Sequence, residues 1–473
     1  MSNDSLTAAQ RRQLGELVAV YPIADELGRR FAERGFELYL VGGTVRDTLL
    51  GRRLGDLDFA TSATPQQTER ALSGWAERIW LTGARFGTVS ARRSGHSLEI
   101  TTFRSDVYAH HSRHPDVTFA STIEADLSRR DFTVNAMAVS LPDHRFVDPY
   151  GGLADLGSRT LRTPVEPATS FGDDPLRMVR LARFAATLEA EVDESARKAA
   201  TTMAATLDDI SRERIRDELS KLVCAPAPGR GLDLLCDTGL ADRFLPELPA
   251  LRMERDPLHH HKDVYSHTVA VVERCPADDL VLRLAALLHD VGKPATRVFA
   301  PGGRVTFHHH EVVGARMAHA RLRELRYPNQ VAEDVSRLVY LHLRFHGYSD
   351  GRWTDSAVRR YVHDAGTDEQ LSRLNLLTRA DVTTRNRAKA RRLSQGMDDL
   401  ESRIAALAAR ERMAAVKPPL DGHEIMRLLG LAPGPLVGEA RRHLLDLRLE
   451  HGPMDPDDAR EALRTWARGR GLL

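Results

Sequence analysis

The sequence predicts a multidomain α+β protein in which a head with a mixed β-sheet is followed by all-α domains. Short β-prone runs alternate with helical segments up to about residue 160, and from about 170 apolar residues recur at helical spacing. A chain of 473 residues is long enough for two to four domains. Breaks rich in Pro and Gly lie at 225–231 and 416–422. We therefore place domains at 1–160, 161–230, 231–415 and 416–473.

The first strand of the head ends at a glycine pair. Predicted head strands span 36–41, 54–60, 87–92, 98–103 and 145–148. After the first of these, Gly42 and Gly43 permit a tight turn and let backbone N–H groups approach phosphate oxygens. Residues 44–51 predict a helix whose first N–H groups would face an anion. Arg46 adds a guanidinium fork suited to phosphate or sugar.

Two carboxylates follow this turn. If 55–61 is a strand, Asp56 and Asp58 point to the same face. Two such carboxylates beside a phosphate cradle predict a site for a pair of Mg²⁺ ions, roughly 3.5–4 Å apart, as in phosphoryl transfer. Glu99, on a later strand, is a candidate third carboxylate, and an exposed strand glutamate is the alternative. A glycine turn or an Asp-x-Asp pair alone is typical of ordinary loops, so the inference rests on their combination.

Two arginine-bearing segments complete the predicted site. In SRRDFTVNAM (128–137), Arg130 is the better candidate ligand of a triphosphate, whereas a helix cap is the alternative role of the aspartate. In GDDPLRMVRLARF (172–184), proline fits the first turn of a helix. Arg177, Arg180 and Arg183 then recur every third residue and share one helix face, predicted to face the cleft. A solvated basic face is the alternative.

The helical half carries a second constellation of histidines and aspartates. His289 and Asp290 end an apolar helix that Gly292 and Pro294 stop. Such an adjacent pair can ligate a divalent metal only with help from distant helices, for which His267 and Asp381 are the natural candidates. An isolated pair would more commonly cap a helix. The same half is predicted to contain one hairpin, around 298–307.

Together, these motifs resemble the polymerase-β-like nucleotidyltransferase superfamily and, more narrowly, the bacterial class II tRNA nucleotidyltransferase and poly(A) polymerase family. The order of His267, His289, Asp290 and Asp381 resembles the HD phosphohydrolase superfamily. His310 and His342 match further ligands of its two-metal versions. The resemblance implies a polymerase-β-like head followed by an all-α neck, an HD body and a tail. Imidazole ligands at the HD site favour Ni, Mn, Co, Fe or Zn over Mg²⁺.

The resemblance also implies a function, the addition or repair of the 3′-terminal CCA of tRNA from CTP and ATP without a nucleic-acid template. Asp174 and Arg177 would select the base, and Arg180 and Arg183 would neutralise phosphates. Asp173 stands where the family usually has glutamate. Residues 104–119 match a stretch that helps the family's site switch nucleotides. The HD site could add a phosphohydrolase activity.

Several alternatives stay open at this stage. A poly(A) polymerase shares nearly every head motif, and partial enzymes that add only CC or only A are possible. The chain could also be an HD phosphohydrolase with an RNA-binding head, or a non-catalytic RNA-binding module. The intact Asp56, Asp58 and Arg177 argue against the last of these.

Composition limits the partners and the compartment. A net charge of +1 provides no global field for nucleic acid, so RNA contact must use local patches. Three cysteines without a CxxC pair predict thiols in a reducing cytoplasm. The N-terminus lacks a signal-peptide core, and no apolar run approaches the length of a membrane span. The sequence does not indicate an oligomeric state.

Overall fold

The computed structural model describes residues 7, 22–52, 57–106, 117–253, 263–299, 305–348, 353–382, 387–411 and 418–473. Contacts group the chain into two compact units, Met1–Phe244 and Leu245–Leu473. The domain boundaries predicted at about 160, 230 and 415 fall inside these units and stay predictions. Asp56 and the central part of the predicted 104–119 loop lie outside the described residues.

A seven-stranded mixed β-sheet forms the centre of the first unit. The strands of this unit are, in chain order, Leu38–Val41 (β1), Leu57–Thr61 (β2), Arg78–Trp80 (β3), Thr88–Arg93 (β4), His96–Thr102 (β5), Arg104–Asp106 (β6), Val117–Phe119 (β7), Ala138–Leu141 (β8), Phe146–Val147 (β9), Thr160–Leu161 (β10) and Glu191–Val192 (β11). The order across the sheet is β3-β4-β5-β2-β1-β8-β9. Only the β2–β5 pair of this sheet is parallel.

Strand β1 is uniformly apolar because the protein covers both of its faces. Leu38 and Leu40 pack into one buried cluster, and Tyr39 and Val41 pack into another. Because side chains alternate across a strand, this burial requires an unbroken apolar run. The five predicted head strands are confirmed with shifted ends, whereas β3 and β8, which are runs of three and four residues, were not predicted.

Helices cover the sheet and make up the rest of the first unit. They are Pro22–Ala32, Gly43–Leu49, Pro65–Leu72, Ile123–Ser128, Gly152–Ser158, Pro167–Asp173, Leu176–Leu188, Glu194–Met203, Arg212–Val223 and Pro228–Asp237. The helix predicted to carry the arginine series runs from Leu176 to Leu188. It begins directly after Pro175, whose fixed φ suits a first helical turn.

Among its described residues, the second unit is helical apart from one small hairpin. Its helices are Glu247–Ala250, Val264–Arg274, Leu280–Leu288, His310–Glu324, Asn329–Leu341, Asp355–Ala365, Asp368–Asp381, Arg387–Glu411, Gly422–Leu429, Pro435–His451 and Pro456–Arg468. Strands Arg297–Phe299 (β12) and Val305–Phe307 (β13) pair in antiparallel fashion, which confirms the predicted hairpin. None of the described helices is both long enough and apolar enough to cross a bilayer.

A buried ion pair ties the C-terminal helices of this unit together. The guanidinium of Arg359 donates to both carboxylate oxygens of Glu411, at 2.9 Å each. A third nitrogen of the same group donates to the carbonyls of Leu449 and Glu450, both at 3.1 Å. Because the remaining donors meet backbone acceptors, the cost of burying this arginine is offset.

Candidate active site and metal centre

A cleft of about 570 Å³ opens along the sheet of the first unit. Asp58 on β2 and Glu99 on β5 are register partners in the parallel pair, so both side chains point to the same face of the sheet. Both residues line the cleft. Among the described residues, it is further lined by glycines, six arginines and other polar groups, namely Gly42, Gly43, Arg46, Arg104, Arg129, Arg130, Asp131, Asn135, Asp174, Arg177 and Arg180.

Gly42 gives the cleft a wall without a side chain. Its φ of +65° lies in the left-handed region that favours glycine. An added Cβ would lie 2.8 Å from Nη1 of Arg130, so the arginine packs directly against this backbone. At Gly43 an added Cβ would meet only ordinary contacts. The requirement for glycine is therefore strict at the first position alone.

Arg46 lines the cleft, but protein acceptors hold its guanidinium. Its Nε and Nη2 donate to the two carboxylate oxygens of Asp47, at 2.9 and 2.7 Å. Its Nη1 donates to Oδ1 of Asn135 at 2.5 Å, and the group lies 5.2 Å from the ring centre of Phe184. These contacts favour a role in holding the site together over the expected direct contact with phosphate or sugar.

The segment 126–135 is organised by two buried carboxylates. Asp126 accepts from Nη2 of Arg130 at 3.0 Å and from Nε of Arg129 at 3.2 Å. Burial opposes the charge of Asp126, but these two arginines lower its pKa below the usual value. Asp131 accepts from the backbone of Phe132 and the side chain of Asn135, and pairs with Arg180. These contacts agree with the structural role expected for this aspartate.

The arginine series on the helix Leu176–Leu188 divides into two kinds. Arg177 and Arg180 line the cleft, as expected. Arg183 is absent from the described lining, and its Nε lies 2.5 Å from the Glu218 carboxylate. Its guanidinium also stacks 3.8 Å from the ring centre of Phe184. The expectation that all three arginines face the cleft is therefore wrong for Arg183, because a buried carboxylate and an aromatic ring draw it away.

Protein groups orient the two residues expected to read the base. Arg177 is 8% exposed, and its Nη1 donates to the carbonyl and the hydroxyl of Ser170, at 3.1 and 2.9 Å. Its Nη2 donates to the carbonyl of Arg129 at 2.5 Å. Asp174 accepts from the amide of Leu176 at 3.2 Å and from Arg214 at 2.8 Å. A ligand that engages Asp174 would therefore compete with or join Arg214.

The second unit brings all six expected HD residues into one cluster. Asp290 is at its centre: Oδ2 lies 3.2 Å from Nε2 of His289 and 3.6 Å from Nε2 of His267. Its other oxygen, Oδ1, lies 3.4 Å from Nε2 of His310 and 4.0 Å from Nε2 of His342. Asp381 adjoins the first pair, 2.8 Å from Nε2 of His267.

The ring orientation of the histidines suits metal binding. The Nδ1 atoms of His289, His310 and His342 lie 2.6–2.8 Å from backbone carbonyls. A carbonyl partner fixes Nδ1 as the donor, so that Nε2 of His310 and of His342 can present a lone pair to a cation. In the described part of the chain, Nε2 of His310 and of His342 are buried and have no hydrogen-bond partner. Orphaned ring nitrogens around a carboxylate are what a cation site requires.

Charge balance at the cluster also favours a cation. Burial would raise the pKa of Asp290, but His289 and Lys293 hold it well below the usual value. Burial and the neighbouring His289 lower the pKa of His342 to about 3, so this imidazole is neutral. Two groups of candidate ligands share Asp290: one contains His267 and His289, the other His310 and His342.

Some residues that organise both sites were not singled out from the sequence. Asp126 precedes its two arginines by three and four residues, which is the spacing of helical ion pairs. Lys293 follows Asp290 by three residues and contacts it at 2.6 Å. Glu218 contacts Arg183, and Ser170 contacts Arg177, from separate helices, so no local pattern indicates these two contacts.

Comparison with protein families matches three segments of the chain. Residues 38–162 match the poly A polymerase head domain. Residues 191–251 match a probable RNA and SrmB-binding site of polymerase A. Residues 258–408 match the HD domain.

One relative aligns with this chain over almost its full length, and this alignment establishes the family. The A-adding tRNA nucleotidyltransferase of Deinococcus radiodurans is 36% identical over 440 residues, which cover 90% of this chain and 95% of the relative. The chain belongs to the tRNA nucleotidyltransferase family. The family and the nucleotidyltransferase activity expected from the motifs are thereby confirmed.

Other members of the tRNA nucleotidyltransferase family match the chain over shorter stretches. The CCA-adding enzyme of Lactobacillus gasseri is 36% identical over 247 residues, 52% of this chain and 60% of the relative. That of Streptococcus gordonii is 41% identical over 225 residues, 47% of this chain and 55% of the relative. The chain spans little more than half the length of these two enzymes.

Solved structures confirm the predicted fold of this nucleotidyltransferase. The Bacillus stearothermophilus CCA-adding enzyme in complex with CTP matches with a TM-score of 0.69 at 24% identity. The match covers 95% of this chain and 98% of the Bacillus chain. The Thermotoga maritima CCA-adding enzyme complexed with tRNA matches with a TM-score of 0.59 at 18% identity. The match covers 96% of this chain and 98% of the Thermotoga chain.

Proposed function

We propose that this enzyme adds or repairs the 3′-terminal CCA of tRNA, using CTP and ATP and no nucleic-acid template. The observation that carries the proposal is the content of one cleft. Asp58 and Glu99 lie on its sheet, and Asp174 and Arg177 also line it. Reacting groups and base-selecting groups thus share a space large enough for a nucleoside triphosphate. The CCA-adding enzymes among the relatives support the same activity.

In the proposed reaction, the 3′-OH of the RNA primer attacks the α-phosphate of the nucleotide. A new O–P bond forms, the bond between the α-phosphate and the bridging oxygen breaks, and pyrophosphate leaves. Arg130 would meet the triphosphate, because its buried Nε has no hydrogen-bond partner among the described residues. Arg180, paired with Asp131, would add positive charge at the same wall.

The carboxylates of Asp56, Asp58 and Glu99 would hold Mg²⁺ at this site. The carboxylates of Asp58 and Glu99 on one face of the sheet fit the preference of Mg²⁺ for a few carboxylates completed by substrate phosphates. When bound, Mg²⁺ supplies charge neutralisation for phosphoryl transfer. The residues themselves orient the primer hydroxyl and the α-phosphate within one cleft.

Asp174 and Arg177 can distinguish cytosine and adenine from uracil and guanine. Cytosine and adenine each present an exocyclic amine beside an unprotonated ring nitrogen. A carboxylate accepts from the amine while a guanidinium donates to the ring nitrogen. Uracil and guanine present a carbonyl and an N–H at these places, so both contacts would be mismatched. Such mismatches cost roughly 10⁴-fold where buried polar groups are left unpaired.

A second candidate activity is the addition of the terminal A alone. The Deinococcus relative, an A-adding enzyme, aligns over 95% of its length, whereas the alignments with the CCA-adding relatives cover only 60% and 55% of theirs. Such an enzyme would use the same cleft and the same base-selecting pair. It would extend only tRNA that already ends in CC.

One assay separates the candidates. Purified enzyme is incubated with Mg²⁺, CTP and ATP, and with tRNA that lacks three, two or one of its terminal nucleotides. CCA addition predicts that every substrate is completed and then extended no further. Completion of only the substrate ending in CC would overturn the proposal in favour of A addition. Unlimited A addition to all substrates would indicate a poly(A) polymerase.

We further propose that the HD cluster binds a divalent transition metal and hydrolyses phosphate esters. The buried, unpartnered Nε2 atoms of His310 and His342 support the metal site. Ni, Mn, Co, Fe or Zn suit such imidazole donors. When bound, the metal supplies Lewis-acid activation of a phosphate ester. Hydrolysis of a generic phosphodiester by metal-loaded enzyme tests the activity, and no hydrolysis with any of these metals would contradict it.

A further inference from the structure

Asp126 connects three residues of the cleft wall, although it was not expected from the motifs. Its side chain is 1% exposed. One oxygen accepts from Nη2 of Arg130, and the other accepts from Nε of Arg129 and from the backbone amide of Arg104, at 3.2 and 3.3 Å. All three partners line the cleft, whereas Asp126 itself is outside its described lining.

Two of the partners of Asp126 are linked in turn to groups that would meet the nucleotide. Arg130 packs its Nη1 against Gly42, beside the carboxylate strands. Arg129 offers its carbonyl to Nη2 of Arg177 at 2.5 Å. A buried carboxylate that accepts from two arginines is held strongly, because bonds to charged groups contribute more than neutral ones.

We infer that Asp126 is a positioning residue for nucleotide binding and base selection, an inference that rests on the proposed nucleotidyl transfer. Its carboxylate positions Arg130, the arginine that meets the triphosphate. Through Arg129, it also positions Arg177, the arginine that binds the base. One buried charge therefore controls two properties that arise at different parts of the cleft.

Asp126→Asn tests this inference because it keeps the shape and removes the charge. An amide NH₂ would face an arginine donor, so one of the two arginine bonds must break. We expect KM for CTP and ATP to rise about tenfold or more, with kcat changed far less, because charged hydrogen bonds orient the binding groups. Incorporation of UMP relative to CMP should rise in the same variant.

Asp155→Asn is the matched control. Asp155 is also buried in the head, accepts from Thr133 at 2.7 Å and lies 3.6 Å from Arg162. It is outside the described lining of the cleft. This control should lose stability in denaturant without a rise in KM or in UMP incorporation. Unchanged KM in Asp126→Asn, or an equal rise in the control, would overturn the inference.

Hydrogen exchange in the wild-type enzyme tests the same link without a substitution. Binding of CTP and tRNA ending in C should slow exchange in peptides that contain the Arg104 amide, because the ligand tightens Asp126 and its partners. Exchange there that is unaffected by CTP would also count against the inference. Wild-type enzyme that adds neither C nor A would instead refute the proposed function, so the two failures are distinguishable.

Discussion

The two sites use charged and titratable side chains in opposite ways. In the head, most positive groups along the cleft already meet a carboxylate or a carbonyl: Arg46 binds Asp47, and Arg177 binds Ser170. In the HD cluster, imidazoles converge on Asp290 and keep two ring nitrogens buried without partners among the described residues. The side chains of the cleft are thus oriented before a ligand binds, whereas the cluster keeps buried ring nitrogens that a cation could engage.

This difference explains what each site can hold. An open cleft with oriented arginines suits a large anionic ligand, whose charge adds to contacts that already exist. A buried set of imidazoles around one carboxylate suits a small cation, because no large ligand fits among side chains 3–4 Å apart. Substitutions should therefore separate the two activities.

The largest effect is expected from Asp58→Asn. Loss of one carboxylate from the sheet of the cleft should lower nucleotide addition by about 10³-fold or more, equivalent to ~4 kcal/mol of transition-state stabilisation. Metal content at the HD cluster should be unchanged. Single-turnover addition of CMP to tRNA and elemental analysis of the purified protein measure both properties. A joint loss of transfer and HD metal would refute the independence of the sites.

Substitutions in the HD cluster should lower metal binding there and leave nucleotide addition unchanged. Because both ligand groups share Asp290, Asp290→Asn should weaken metal binding by more than the roughly 100-fold that loss of an outer-shell partner can cost. His342→Ala removes a ligand from one group only, so it should retain binding at the other. Metal titration after chelation gives the stoichiometry. CMP addition that falls in parallel with metal content would contradict the comparison.

Substitution of Asp174 should lower the selectivity for the base more than it lowers the rate of nucleotide addition. Asp174→Asn replaces an acceptor by a group that can also donate, so the preference for CTP over UTP should fall by roughly 100-fold. The ratio of kcat/KM for the two nucleotides measures this preference. Asp173→Asn is the neighbouring control and should alter the ratio much less. Equal loss of CTP and UTP incorporation would indicate a structural role for Asp174.

The smallest effect is expected from Ser170→Ala. Only the hydroxyl bond to Arg177 is lost, while the carbonyl bond remains. A single bond to a charged group should cost about tenfold in discrimination against UTP. Ser170→Thr keeps the hydroxyl and should restore discrimination. If alanine and threonine behave alike in competition assays with CTP and UTP, the hydroxyl does not position the arginine.

The sequence predicted both sites where local patterns carry chemistry. The helix with Arg177 and Arg180 has a proline start and a threefold spacing, and the pair His289-Asp290 ends an apolar helix. The sequence could not predict that Arg183 pairs with Glu218 rather than lining the cleft, because this contact joins separate helices. Strand β8 was also missed, because its apolar run of four residues follows the motif 128–137 without a break and was not separated from it.

The most direct test of the central claim uses all four nucleotides at once. Wild-type enzyme is given tRNA lacking its last three nucleotides with ATP, CTP, GTP and UTP, and the new 3′ ends are sequenced. The account predicts ends that finish in CCA, with U and G nearly absent and with no further extension. Ends that carry A tails, or that contain U and G in proportion to their supply, would contradict it.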